Sequence, residues 1–156
     1  MKTFIASLLA LCSATAFSAE PALLEDALSC KLKDNQVASL MRELATRQPA
    51  FAKPATQYGA PAADVYQLNK PASALGYSSA EIVVTPGRIL LAVPAESVAK
   101  AIAKLKLEED SYGPASRLVR PTVSIVAFQL THKSLQNKLL VGCEYASADA
   151  AAWIGQ

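Results

Sequence analysis

A chain of 156 residues, 52% of them apolar and with a formal net charge of +2, suits a single globular domain with a substantial core. That composition argues against a wholly disordered polypeptide. So slight a charge sets up no field to gather nucleic acid or anionic lipid, and both partner classes are set aside.

Residues 1–16 read as a secretory signal. Met1-Lys2 is a short positive start, residues 4–11 are apolar, and Ala14-Thr15-Ala16 is a small-x-small cleavage pattern. Cleavage is expected after Ala16 rather than Ala19, which would leave Phe17 at the upstream small position. Residues 17–146 then make one domain, and 147–156 a tail or short helix. The apolar run is too short to span a bilayer and nothing later is longer, so no integral membrane segment is expected after processing. Leu11 before Cys12 speaks against lipid attachment. The protein is expected to be periplasmic or secreted, an oxidising setting in which Cys30 and Cys143 pair as a disulfide. Chain-entropy reasoning values such a long closure at about 4–5 kcal/mol. One histidine and no Cys-x-x-Cys spacing leave no ligand set for a metal, and no cofactor is expected.

Residues 21–47 have helical character. Val37, Leu40, Met41 and Leu44 recur at helical spacing, Asp34 or Asn35 is placed to cap them, and Pro49 closes the segment. Leu23, Leu24, Ala27 and Leu28 fit a separate turn or two of helix from Pro21. Residues 48–63, with three prolines, Phe51, Tyr58 and Gly59, lack periodicity and read as a long functional or mobile loop.

Short strands are expected over 64–68 and 73–77, with Pro71 making this region irregular or an edge. Residues 81–85 and 88–93 form a hairpin across Pro86-Gly87, a type II turn signature. Pro94 opens a second helix to about Leu107, with Val98, Ala101, Ile102 and Leu105 as its stripe and Glu96–Lys100 as an i,i+4 pair. It should end before Glu108-Glu109-Asp110, which oppose the negative helix end. Residues 118–131 read as one central strand apolar on both faces, broken near its start by Pro121. Residues 138–145 alternate, with Leu139, Val141, Cys143 and Tyr145 inward and Lys138, Gly142 and Glu144 mostly outward. Ser147 or Asp149 can cap a short helix that docks Trp153.

These elements predict an α+β fold of two layers, an antiparallel sheet of about five strands covered on one face by two helices. Catalysis is not expected. His132 reads as a solvated turn residue, and no serine or cysteine stands in a nucleophile motif. Glu81 and Glu144 are the only carboxylates considered for acid–base work, and a carboxylate-dependent hydrolase is the least favoured reading. What remains is surface for binding. Phe51, Tyr58, Arg88, Arg117 and Arg120 are the candidate partner-binding residues, since arginines beside strands and aromatics at loops are common contact groups. Tyr66, Tyr77 and Tyr112 also gather at loops and strand ends. The expected function is an exported protein that occludes a protein partner, of the inhibitor or toxin-immunity kind. The alternative is an envelope assembly or stress component that binds envelope proteins or a small ligand.

Overall fold

The computed structural model describes residues 21–155; the segment read as a signal peptide lies outside them. The helical region 21–47 resolves into α1 (Pro21–Leu28), α2 (Asp34–Val37) and α3 (Leu40–Arg47). It divides at Cys30, whose φ of +63° takes the chain out of the helical region. Val37, Leu40, Met41 and Leu44 are all buried, as their spacing predicts. Asp34 and Asn35 fall inside the first turn of α2, where Gln36 Oε1 accepts the Lys33 N–H at 3.0 Å.

Residues 48–63 are regular where the sequence suggests a loop. A 3-10 turn (Pro49–Ala52) leads into β1 (Thr56–Gly59), which pairs with the 13-residue β2 (Ala62–Ala74). Then come β3 (Tyr77–Thr85), β4 (Arg88–Pro94), α4 (Val98–Leu105), β5 (Ala115–Arg120), β6 (Val123–Phe128), β7 (Lys138–Tyr145) and α5 (Ala148–Ala151). Among the described residues the strands form one antiparallel sheet in the order β1-β2-β3-β4-β7-β6-β5.

Seven strands thus replace the expected five. β1 has no apolar alternation to announce it, because it is an exposed edge. The stretch 118–131 is not one central strand: Pro121 and Thr122, with Thr122 at φ +66°, turn the chain between β5 and β6. β6 is buried on both faces and β5 is the sheet's other edge. The β3–β4 hairpin forms as predicted, with Gly87 at φ +75°, a conformation that strains other residues.

α4 carries the chain from the sheet's centre at β4 to its far edge at β5. Ser97 caps it by accepting the Lys100 N–H at 3.3 Å, and Lys106 ends it in the left-handed region, before the three acids. The Glu96–Lys100 ion pair forms at 3.3 Å. The Glu96 carboxyl lies below the ordinary carboxylate range, chiefly because the Ser97 N–H donates to it, with Lys100 adding to the effect. Lys104 pins the helix to the β2–β3 turn, donating to Gly76 O at 2.6 Å with its Nζ 3.8 Å above the Tyr77 ring.

The helices cover one face of the sheet, and the main core lies between them: α1 lies across β2, β4 and β7. The Cys30–Cys143 disulfide, Cα–Cα 5.2 Å, joins the α1–α2 link to the inward face of β7. Trp153, delivered by α5, docks on the same core and donates Nε1–H to Val37 O at 2.8 Å. The opposite face is also covered. The β6–β7 connection, residues 129–137, folds across it as a strap and places Leu130 and the fully buried Leu135 on Val83, Leu90, Val126 and Leu140. The two-layer expectation therefore holds only roughly. Gly142, expected to face outward, is buried in the central β4–β7 pair, where a Cβ would come within 2.3 Å of Ile89 O. Only glycine allows the two backbones so close.

Candidate partner-binding surface

The exposed large apolar side chains of the described residues fall within one short stretch. Tyr112 is 100% exposed, Leu118 68% and Val119 45%. They occupy the β5 edge and the loop that enters it. Soluble domains usually blunt a sheet edge with charge or cover it, so apolar side chains at an edge call for a partner. Part of this rim is already paired: Glu108 and Ser116 exchange backbone hydrogen bonds at 2.8 and 2.9 Å. Beyond that bridge Leu118 and Val119 project. Asp110 Oδ1 accepts the Tyr112 N–H at 2.9 Å and shapes the loop that presents the Tyr112 ring to solvent.

Two of the arginines singled out from sequence lie on the same strand. Arg117 is exposed, and its Nε–H donates to Leu105 O at 2.9 Å, a favourable place for a cation at the C-terminal end of α4. Arg120 pairs with Asp34 at 2.6 Å and also donates to Leu32 O, tying β5 to the α1–α2 link. The two cations bracket Leu118-Val119.

The other candidates lie elsewhere, and they too have internal partners. Phe51 is buried in the main core, its ring centroid 4.9 Å from that of Tyr66. Tyr58 is half-buried in a latch: its ring stacks on His132 at 4.0 Å, its hydroxyl bonds the Ser134 hydroxyl, and His132 Nε2 donates to Pro61 O at 2.8 Å. The lone histidine thus fastens the strap to the β1–β2 hairpin rather than standing in solvent. Arg88 is paired with Glu144 and lies over the Phe128 ring at 5.3 Å. Glu81 accepts two hydrogen bonds from Lys138 Nζ, at 2.9 and 3.0 Å. Each carboxylate weighed for acid–base work is therefore neutralised by a neighbouring cation.

Beside the β5 edge runs an open groove of about 480 Å³. Val98, Ala99 and Ile102 of α4 form one wall, Ala115 and Ala127 lie against it on β5 and β6, and Glu109 and Asp110 stand at the rim. The apolar stripe of α4 is only partly used against the sheet, since Ala101 is its one buried residue. A larger hollow, about 570 Å³, opens between α1 and the β2–β3 turn, with Glu25, Asp26, Lys31 and Ser73 giving it a polar lining.

Leu118 and Val119 escape sequence reasoning because the apolar run through 118–131 reads as a buried strand. The signal that finds them is Pro121 read as a turn: it makes the preceding Arg-Leu-Val-Arg an edge strand with a cation at either end.

No described helix is long and apolar enough to cross a membrane, and the described residues hold no cluster of three or more His, Cys, Asp or Glu suited to a metal. No family model, curated protein or solved structure matches the chain.

Proposed function

We propose that this protein is an exported binding protein, periplasmic or secreted, that occludes a protein partner in the manner of an inhibitor or immunity protein. The observation that carries this reading is the gathering of Tyr112, Leu118 and Val119 along one sheet edge and the loop that enters it, with Arg117 and Arg120 on the same edge strand. Tyrosine and arginine in such a setting are the residue types that dominate interface energetics, and Leu118-Val119 gives them an apolar centre. An edge strand can also accept a partner segment through its outward backbone groups, so main-chain pairing and side-chain packing act together. The disulfide and the amino-terminal pattern support an exported setting.

The test places a photo-cross-linking residue at position 118, with position 70 as an exposed control on β2, in cells producing the full chain. One stoichiometric adduct from position 118 and none from position 70 supports the reading. No adduct at 118, or equal labelling at both positions, overturns it.

A further inference from the structure

We infer that the groove between α4 and the 109–115 loop takes an apolar segment of the partner protein that carries lysine or arginine beside its apolar side chains. This inference rests on the partner-binding reading and names the chemistry of the segment that the surface accepts. Three features converge on it.

The buried residues of the groove's lining are apolar. They are Ala115 and Ala127, and the wall of α4 adds Val98 and Ile102, half-buried residues of a helix whose stripe faces the sheet incompletely. Side chains of a bound segment that covered these groups would remove apolar surface from water without displacing any existing contact.

The rim is acidic. Glu109 and Asp110 line the groove, whereas Lys100 and Lys104 of α4 are engaged with Glu96 and Gly76 O. A cationic segment gains at this rim and an acidic one is repelled, which sets specificity and association rate more than raw affinity.

The groove is continuous with the β5 edge. Ala115 lines it and is also the first residue of β5, two positions before Arg117. A partner that covers Leu118 and Val119 therefore reaches the groove with the same stretch of chain.

The experiment selects a phage-displayed library of random twelve-residue peptides on the immobilised, oxidised chain, and measures the selected peptides against variants. Peptides rich in Lys or Arg next to apolar residues are expected. Ala99→Arg, which fills the groove and offsets its rim from an exposed helix position, should weaken them at least tenfold. Glu109→Lys combined with Asp110→Asn should do the same, while the new amide at position 110 keeps a side-chain oxygen for the Tyr112 N–H. Selection of acidic peptides, of no peptides, or of peptides indifferent to both variants overturns the inference. Its failure is separable from that of the function: if position 118 still cross-links one protein and neither variant changes the yield, the partner reading stands and the groove assignment falls.

Discussion

The imidazole of His132 lies flat on the Tyr58 ring, 4.0 Å between centroids and 4° between planes, and so closes a strap over the face of the sheet opposite the helices. The contact joins two segments that lie far apart in the chain, and Pro61 O holds the ring in place through Nε2. His132→Ala should cost about 1 kcal/mol of stability, in the range for one aromatic pair. Most of the effect should be local. Amide hydrogen exchange is expected to speed up over 130–136 while the β4 and β7 amides keep their protection. Equal acceleration in both would mean that the latch supports the whole fold.

Gly142 is the position least open to change. A methyl group there meets Ile89 O at 2.3 Å, and the obstacle is backbone in the sheet's central pair rather than a side chain that can turn away. Gly142→Ala should therefore destabilise by more than about 3 kcal/mol, beyond the range of ordinary substitutions. Urea denaturation of the oxidised protein measures it; a loss under about 1 kcal/mol would show that β4 and β7 can move apart cheaply.

Trp153 closes the core from the carboxy-terminal side. Trp153→Phe keeps an aromatic ring near Tyr145 but removes the donor to Val37 O, leaving a buried carbonyl without that bond. A loss of about 1–3 kcal/mol is expected from thermal or chemical unfolding. In the wild-type chain the single tryptophan should emit at short wavelength when folded, and red-shift together with loss of the far-ultraviolet signal.

The Tyr66 phenol is pushed up to about 12, first by burial and then by the Asp64 carboxylate. The neutral phenol is the form the native state favours. Its contribution is fully present below about pH 10, where the unfolded chain also keeps its proton, and is lost as pH rises towards about 12. On the order of 2 kcal/mol should disappear across that interval, and Tyr66→Phe should flatten this part of the stability profile. An unchanged alkaline slope in the variant would assign the loss to other groups.

Much of the fold is legible in the residues. The burial of Val37, Leu40, Met41 and Leu44, the Pro86-Gly87 hairpin and the inward set Leu139, Val141, Cys143 and Tyr145 each carry a local physical signal that the structure bears out. The second helix forms over Val98–Leu105, inside the span expected from Pro94 to about Leu107. The misses share a cause. β1 pairs through its backbone and exposes most of its side chains, so no hydrophobic period marks it. β5 and β6 read as one strand because the apolar residues run on through Pro121, although a proline–threonine pair can turn a chain as well as interrupt it. Site residues are harder still. Phe51 and Tyr58 have the chemistry of contact residues, yet packing against Tyr66 and His132 uses them internally, and only tertiary structure reveals that.

The disulfide has one more consequence, for how the molecule withstands cutting. Its closure runs from Cys30 to Cys143, a separation of 113, and takes in the β1–β2 turn, the Tyr112 loop and the whole strap. A protease that severs the chain at any exposed site within these segments leaves two fragments still bonded to each other. They stay paired across β4 and β7 when the cut falls in the Tyr112 loop or the strap, or across β1 and β2 when it falls in the turn between them. Nicked molecules should migrate as intact protein until a reductant is added, and should remain assembled after a blow that would separate an unbridged chain.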